Sequence, residues 1–383
     1  MVRDIPKLAG QRVTVMGLGL FGGGLGVARF LVKAGARVTV TDQKSEHDLR
    51  EAVAELKGLP VELRLGGHRE EDFRDADLVI MNPAVPASSP WLRMARALET
   101  EMNLFMKLCP ARTTAGITGS NGKTTTTTLT GEILKLSPRK TWVGGNIGVS
   151  LLERLDAIRP DDLVVLELSS FQLENLGVLR RSPNVAAVLN LTPNHLDRHG
   201  TFEAYAEAKR QIVAHQSTSD TKILNAGDAV VRAFASPSKT ELFRRETLAE
   251  EGIDVSRRKI PGDFNLENMA AAALIARAAG PWPGWKEACE RVFNTFPGVE
   301  HRLEFVAEKR GVKYYNDSKA TDPEATVAAL STLPGPFVLI LGGFDKKTPY
   351  DLLAREVAAR PVRACVLMGE TAPAIEARLR SQP

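Results

Sequence analysis

The chain has 383 residues, of which 43% are hydrophobic and 25% are charged, and its net charge is +4. This composition is typical of a soluble globular protein, and the length allows two or three domains. The small positive excess gives no argument for a nucleic-acid partner, so we expect none. No apolar run approaches about 18 residues, and the 3 cysteines are scattered, which excludes a disulfide framework. We therefore expect a cytoplasmic protein without membrane insertion.

The first segment has the βαβ pattern of a dinucleotide-binding fold. A strand is predicted over Arg12–Met16, a tight glycine turn over residues 17–24 and a helix over Leu25–Lys33. The next predicted strand, Arg37–Asp42, ends in an acid about 20 residues after the glycines, and a further strand is predicted over Asp77–Met81. These glycines suit NAD or another diphosphate, such as that of a UDP-linked compound, because a helix N-terminus binds either pyrophosphate. The alternative is that they serve only the turn between strand and helix.

The most informative motif is Gly-Ile-Thr-Gly-Ser-Asn-Gly-Lys-Thr at residues 116–124, which precedes a helix predicted over Thr125–Lys135. A glycine-rich turn that ends in Gly-Lys-Thr and opens a helix is suited to phosphate. Backbone N–H groups surround the phosphate oxygens, Lys123 adds a positive charge and the Thr124 hydroxyl can ligate Mg²⁺. The motif predicts a nucleoside triphosphate site, which makes NAD the weaker interpretation of the first glycine turn.

The glycine spacing of this motif departs from the common phosphate loop. The strict spacing would place a glycine at position 117, where this chain has isoleucine, and the glycines are Gly116 and Gly119 instead. We interpret both as loop glycines of a variant family of phosphate loops. The alternative, a Gly/Thr-rich loop that binds nothing, leaves the joint occurrence of glycine, lysine, hydroxyl and helix start unexplained.

One later strand ends in a residue suited to metal binding. Leu163–Leu166 is predicted to be a buried parallel strand, and Glu167 stands at its carboxyl end, where ligands bind in open α/β sheets. A carboxylate there, beside a phosphate loop, is a good Mg²⁺ ligand. The alternative interpretation is a solvated carboxylate at a strand end.

Another strand, predicted over Asn184–Asn190, leads to a polar segment that contains His195, Asp197 and His199. Spacing alone supports a functional and a structural interpretation of these side chains equally. The helix that follows carries Lys209, which the residue pattern alone predicts to be a solvated charge. The remaining predicted elements are the helices Thr201–His215, Pro323–Leu330 and Ala372–Leu379, and the strands Lys313–Tyr315, Phe337–Gly343 and Val362–Met368.

Several motifs together resemble the Mur ligases of peptidoglycan synthesis. They are Thr-Gly-Ser-Asn-Gly-Lys-Thr at 118–124, Gly-Gly-Asn-Ile-Gly at 144–148, Glu-Leu-Ser-Ser-Phe-Gln-Leu at 167–173 and Asn-His-Leu-Asp-Arg at 194–198. The resemblance continues at residues 265–268, 301–302, 315–321 and 341–346, so it spans nearly the whole chain. The motif at 167–173 is similar to the branch of the family that adds D-glutamate.

The resemblance implies an α/β protein of three domains. An N-terminal Rossmann-like domain over 1–109 would bind a UDP-linked substrate, and a central P-loop-type ATPase domain over 110–298 would have a mostly parallel sheet. A C-terminal Rossmann-like domain over 299–383 would bind the amino acid. The implied activity is the ATP-dependent joining of D-glutamate to UDP-N-acetylmuramoyl-L-alanine through an acyl phosphate. The implied enzyme is a cytoplasmic monomer that uses two Mg²⁺ ions.

The resemblance also implies roles residue by residue. The ATP-binding set is Gly119, Ser120, Asn121, Gly122, Lys123, Thr124, Thr125, Thr126, Asn268, Arg302 and Asp317. The metal ligands are Thr124, Glu167, His195 and Lys209, the last as a carbamate, and the catalytic set is Lys123, Glu167, His195 and Lys209. The substrate-binding set is Gly17, Gly19, Leu20, Asp42, Asn146, Thr321 and Lys346, of which the last two would face the carboxylates of D-glutamate.

One departure from the family concerns the C-terminal domain. The family has further strands there and a late Ser-Pro-Ala-x-Ala-Ser-Phe-Asp motif, which this sequence does not contain. We therefore expect an incomplete C-terminal domain and weak or absent ligase activity. Two alternatives remain open. A sister ligase, adding another amino acid or adding glutamate to folate, explains only the phosphate loop and the magnesium ligands. A non-catalytic nucleotide-binding protein is the other.

Overall fold

The computed structural model describes residues 8–19, 23–86, 88–345 and 348–382. The first sheet is parallel and five-stranded, in the order β3-β2-β1-β4-β5. Its strands are β1 Arg12–Met16, β2 Arg37–Asp42, β3 Val61–Leu65, β4 Leu78–Met81 and β5 Leu98–Thr100. Its helices are α1 Gly23–Lys33, α2 Arg50–Ala54, α3 Glu70–Arg74 and α4 Glu101–Leu108, with a 3₁₀ turn at Pro90–Met94.

The central sheet is also parallel and has six strands, in the order β11-β10-β9-β6-β8-β7. Its strands are β6 Thr113–Thr118, β7 Thr141–Gly145, β8 Leu163–Glu167, β9 Val185–Val188, β10 Thr221–Asn225 and β11 Lys239–Phe243. Its helices are α5 Lys123–Leu134, α6 Ser170–Leu179, α7 Leu196–His199, α8 Phe202–Ala214, α9 Ala229–Arg232, α10 Thr247–Glu250, α11 Asp263–Ala278 and α12 Trp285–Thr295. A 3₁₀ turn covers Leu152–Ala157.

Two small sheets follow in the C-terminal part. Strands β12 Glu304–Lys309 and β13 Val312–Asn316 form an antiparallel pair, and β14 Phe337–Gly342 and β15 Val362–Met368 form a parallel pair. The helices here are α13 Pro323–Thr332, α14 Asp351–Ala358 and α15 Ala372–Arg380. One face of the parallel pair is exposed; it carries Val338, Ile340, Val366 and Met368.

The central sheet contributes to a hydrophobic cluster on each of its two faces, because successive side chains along a strand point to opposite faces. Val164 and Leu166 join a cluster of buried side chains that continues into the first sheet and its helices, where Leu31 belongs to it. Leu163 and Val165 join a second cluster, under α5, α11 and α12. The central strands are therefore apolar on both sides, as the pattern of a buried parallel strand predicted.

The structure confirms the predicted α/β class with mostly parallel sheets. Most predicted elements are present with the same bounds or with bounds shifted by one or two residues, and α5 begins at Lys123 rather than at Thr125. The lysine of the phosphate motif therefore lies in the first helical turn. The proposed domain limits at 109/110 and 298/299 fall between α4 and β6 and between α12 and β12. The limits themselves stay a prediction.

Candidate functional site

The phosphate loop joins the carboxyl end of β6 to α5 and consists of residues 119–122. Gly122 is the residue before the helix and has φ 83°, and a Cβ there would overlap the side-chain oxygen of Asn268. Only glycine fits this position. Gly122 has no side chain that could cap α5. The first N–H groups of this 12-residue helix therefore face the loop without a side-chain acceptor from Gly122.

The prediction that Gly116 is a loop glycine is wrong. This residue lies inside β6, where a Cβ would come within 2.5 Å of Pro183 Cγ. Its small size serves the packing of the strand against the loop before β9. The loop glycines are Gly119 and Gly122.

Lys123 and Thr124 occupy the first two positions of α5. The Lys123 ammonium donates to the carbonyl oxygens of Gly119 and Ser120 at 2.8 and 2.7 Å, so it lies over the loop. Thr124 is half-buried, whereas Thr125 and Thr126 are buried.

Ser120 holds the loop to the chain after β9. Its Oγ lies 3.0 Å from the Thr192 carbonyl oxygen, 2.9 Å from the Thr192 backbone nitrogen and 3.0 Å from the Tyr205 hydroxyl. Asn121 is held similarly, because its backbone N–H donates to Asn190 Oδ1 at 2.8 Å. Both residues of the predicted ATP-binding set thus fix the shape of the loop.

Glu167 ends β8 as predicted, but it is not solvated. It is 2% exposed; its Oε1 accepts from the side-chain amide of Asn146 at 2.9 Å, and its Oε2 is buried without a hydrogen-bond partner among the described residues. A buried carboxylate oxygen without a partner is rare unless a cation or water completes it. The arrangement therefore fits a cation at this oxygen.

The expectation that Lys209 is a solvated charge is wrong. Its side chain is 1% exposed and donates to Thr118 Oγ1 at 3.2 Å and to the Gly119 carbonyl oxygen at 2.9 Å. Burial lowers the pKa of Lys209 well below its usual value, the positive charge of Lys123 lowers it further, and Glu167 opposes both. This buried amine lies between the phosphate loop and the carboxylate.

The polar segment after β9 separates into residues with different surroundings. His195 has a left-handed backbone (φ 54°), its N–H donates to Asn194 Oδ1 at 2.9 Å, and its ring meets that of Phe171 edge-on. His199 is a buried structural histidine, because its two ring nitrogens lie 3.1 Å from Glu174 and 3.0 Å from Ser170 Oγ. Asp197 is exposed.

No group of three or more His, Cys, Asp or Glu side chains is arranged to hold a metal ion within the described ranges. The predicted ligands Thr124, Glu167 and His195 are therefore not a closed protein cage. Mg²⁺ commonly binds through one or two carboxylates and completes its shell with phosphate oxygens and water. The chemistry of these donors is compatible with that mode.

A cavity opens beside the phosphate loop, between the central and C-terminal parts. Its wall includes apolar side chains suited to the faces of a planar base, and polar side chains at the C-terminal side. The former are Leu189, Phe243 and Phe264; the latter include Arg302, Asp317 and Glu324, and Asn268 of α11 adds a polar group from the central side.

The polar groups of this cavity are held in place by neighbours. The Asn268 amide donates to Asn265 Oδ1 at 3.1 Å, and its Oδ1 accepts from Thr126 Oγ1 at 3.3 Å. Asp317 Oδ1 accepts from the Leu303 N–H at 2.9 Å. Burial raises the pKa of Asp317, and that hydrogen bond and the charge of Arg302 act against the increase.

The first glycine turn is closed by Asp42. Its Oδ2 accepts from the backbone N–H groups of Leu18 and Gly19 at 2.9 and 3.3 Å. Gly17 has φ 92°, and a Cβ there would lie 3.0 Å from Asn82 Cβ. The carboxylate thus organises the turn that the sequence predicted to bind the UDP-linked substrate.

The other substrate-binding predictions lie apart from that turn. Asn146 is at the Glu167 carboxylate, in the central part, and Thr321 is exposed just before α13. Leu20 and Lys346 lie outside the described residues. One contact residue was missed by the sequence patterns: Asp322, which reaches the phosphate loop from the C-terminal part. The pattern Asp-Pro-Glu at the start of α13 signals only a helix cap.

Comparisons with known proteins place this site in a family. The Mur ligase MurD-like N-terminal domain matches residues 11–103, the Mur ligase middle domain matches 117–276 and the Mur ligase glutamate ligase domain matches 301–382. UDP-N-acetylmuramoylalanine--D-glutamate ligase of Roseiflexus sp. (strain RS-1) is 45% identical over 98% of this chain and 86% of its own. The enzyme of that name from Symbiobacterium thermophilum is 43% identical over 97% and 85%.

Solved structures share the fold at lower identity. MurF ligase from Thermotoga maritima in complex with ADP has a TM-score of 0.54 and 17% identity, and the match covers 98% of both chains. Across the described part of this chain, no helix is both long enough and apolar enough to cross a membrane.

Proposed function

The chain belongs to the Mur ligase family of ATP-dependent amide ligases, and we propose that it joins D-glutamate to UDP-N-acetylmuramoyl-L-alanine. The observation that carries this proposal most directly is the meeting of three groups at one point. Lys123 lies over the phosphate loop, Lys209 donates to the same loop, and the charges of Lys123 and Glu167 both act on Lys209.

The chemistry of the reaction explains why these groups are needed. A carboxylate is a poor acyl donor because oxide is a poor leaving group, so ATP must first phosphorylate the carboxylate of the L-alanyl substrate. Lys123 and the first N–H groups of α5 would stabilise the phosphoryl group during transfer. The amine of D-glutamate then attacks the acyl carbon, the C–N bond forms and phosphate leaves.

We propose that two Mg²⁺ ions assist this step. They would be held by Thr124, Glu167, His195 and a carbamate on Lys209, and when bound they would neutralise charge on the phosphoryl oxygens. The support for this assignment is the buried Glu167 oxygen without a partner among the described residues. Asn146 would orient the same carboxylate through its hydrogen bond to the other oxygen.

A carbamate on Lys209 follows from the surroundings of its amine. A lysine with a lowered pKa is more often neutral, and only the neutral amine has the lone pair that attacks CO₂. The N–C bond forms, the nitrogen gives up one proton, and the product is an anion with two oxygens. This exchange would replace a buried amine by an anionic metal ligand.

The remaining roles concern binding. We propose that the cavity beside the loop takes the adenosine of ATP, with Asn268 at the base and Arg302 and Asp317 toward the ribose and phosphates. Gly17, Gly19, Leu20 and Asp42 would form the site of the UDP-linked substrate, and Thr321 and Lys346 would face D-glutamate. We propose a monomer that acts in the cytoplasm.

The test is phosphate release with UDP-N-acetylmuramoyl-L-alanine, ATP, Mg²⁺ and a panel of amino acids. We expect release that depends on D-glutamate and is lost in Lys123→Ala but retained in Lys57→Ala, which changes an exposed lysine. Preference for another amino acid would favour a sister ligase. Equal release by wild type and Lys123→Ala would contradict catalysis at this loop. The rate of phosphate release by the wild type also tests the expectation that this chain has weak or absent ligase activity.

A further inference from the structure

Asp322 connects the C-terminal part to the catalytic loops of the central part. It is 6% exposed and lies just before α13. Its Oδ1 accepts from the Ala325 N–H at 2.9 Å and from the Asn121 side-chain amide at 3.3 Å. Its Oδ2 accepts from the side-chain amide of Asn194 at 3.0 Å. One carboxylate therefore caps a helix and bonds to two segments far away in the chain.

Both partners of Asp322 belong to segments of the proposed active site. Asn121 is in the phosphate loop, and its backbone is tied to Asn190. Asn194 precedes His195 and uses its own Oδ1 to accept the N–H of that residue. A movement of Asp322 would thus release both the loop and the turn that carries the histidine.

We propose that Asp322 is a positioning residue for the ligase reaction, holding the C-terminal part against the phosphate loop and the His195 turn. It does not touch the reacting atoms. It fixes the distance between the part of the chain proposed to present D-glutamate and the part that holds the acyl phosphate. A 1 Å error in such a distance can slow a reaction by about a hundredfold. This inference rests on the proposed function.

The donor and acceptor pattern makes the idea testable by exchange of two side chains. In Asp322→Asn, the oxygen can still accept from Ala325 and Asn121, but the new NH₂ then faces the NH₂ of Asn194. Asn194 cannot turn its amide round, because its NH₂ would then face the N–H of His195. Adding Asn194→Asp removes the conflict, since both of its oxygens accept.

A second variant separates this role from helix capping. Asp322→Ser keeps a short side chain that can cap α13 but cannot reach Asn121 and Asn194. If Asp322 serves only as a cap, this variant will behave like the wild type. If Asp322 holds the two parts together, the variant will fold with a melting temperature within a few degrees of the wild type, but its turnover will be impaired.

The experiment measures kcat and the KM for ATP and for D-glutamate in these variants. We expect Asp322→Asn and Asp322→Ser to lose about tenfold or more in kcat/KM for D-glutamate, with a much smaller change in the KM for ATP. We expect Asp322→Asn with Asn194→Asp to recover to within about threefold of wild type. Wild-type kinetics in Asp322→Ser, or no recovery in the double variant, would overturn the proposal.

Hydrogen exchange gives a readout that does not require turnover. Asp322→Ser should speed amide exchange in residues 119–122 and 194–199 while leaving β1 and β2 unchanged. If the wild type shows no ligase turnover, the proposed function fails, but this comparison still tests the contact. Unchanged exchange in both segments would reject the role of Asp322.

Discussion

The side-chain amide of Asn146 donates to Oε1 of Glu167 at 2.9 Å, and Oε2 of the same carboxylate is buried without a partner among the described residues. The amide thus decides which oxygen remains for a cation. Since an outer partner of a metal ligand sets its orientation, the pair is expected to act together.

Removing either member of this pair should change the Mg²⁺ requirement. Asn146→Ala should raise the Mg²⁺ concentration for half-maximal turnover by about 10- to 100-fold. Glu167→Gln should have a larger effect, because the Asn146 amide will hold the remaining oxygen and leave an NH₂ toward the ion. Turnover measured against Mg²⁺ concentration tests this, with Glu203→Gln as a control at an exposed position. An unchanged Mg²⁺ requirement in both variants would contradict the assignment.

Two glycines with the same backbone conformation allow steric overlap to be separated from backbone strain. Gly122 and Gly58 have φ 83° and 85°, but a Cβ at Gly122 would overlap Asn268, whereas a Cβ at Gly58 meets nothing within 4 Å. Gly58→Ala should cost about 1 kcal/mol of folding free energy and leave nucleotide affinity unchanged. Gly122→Ala should cost more and weaken ATP binding at least about tenfold, as measured by calorimetric titration. Equal behaviour of the two variants would refute the steric argument.

The carbamate on Lys209 predicts a dependence on CO₂. Enzyme kept in CO₂-depleted buffer should lose turnover and regain it on addition of bicarbonate. Lys209→Met should abolish turnover, because a methionine side chain cannot carry the carbamate proposed to hold Mg²⁺. Lys57→Met is the surface control. Two results together would disprove the modification: full turnover after exhaustive CO₂ removal, and no incorporation of carbon label at Lys209 from labelled bicarbonate.

Burial of Cys289 predicts a loss of stability in alkali. The thiol is buried on α12, and burial raises its pKa to about 12 from 9.0. Between the two pKa values the unfolded chain releases the thiol proton while the folded chain keeps it. The thiol's contribution to the unfolding free energy is therefore complete below pH 9 and is lost as the pH rises toward 12. The unfolding free energy of wild type should therefore fall relative to that of Cys289→Ala between pH 8 and about 10.5.

Urea unfolding at several pH values measures this difference. Val292→Ala is a suitable control, because it removes a buried side chain from the same helix without a titrating group. Its difference from wild type should stay constant with pH. A constant difference for Cys289→Ala as well would show that the thiol does not titrate differently in the folded state.

Sequence patterns predicted those helices, strands and site residues whose formation depends on residues close together in the chain. The helix after Gly-Lys-Thr, the acid that ends β8 and the strand β1 all follow from signals within a few residues. The Gly116 assignment failed because a strand glycine next to a loop cannot be told from a loop glycine by spacing. What separates them is Pro183, which is distant in sequence.

Tertiary packing determines the features that the sequence could not predict. Lys209 lies on a helix with an ordinary amphipathic pattern, and its ammonium is buried against the end of β6 and the loop that follows. Helix α11 is surrounded by protein on all sides, so it lacks the one-sided apolar stripe that identifies a surface helix. Asp322 requires three separate segments to meet, and no single segment carries a sign of that meeting.

The shared apolar cluster between the first sheet and the central sheet has a consequence for motion. Opening these two parts as rigid bodies would expose apolar side chains of this cluster where α1 and α4 meet the 3₁₀ turn Leu152–Ala157, which is unfavourable. Within the described residues, these clusters of buried side chains extend as far as Phe296, with the partly buried Val299 packed against them. We therefore expect the hinge between the parts of the molecule near residue 298. Admission and release of ligands would then involve rotation of residues 299–383, about the last fifth of the chain, relative to the two large parallel sheets.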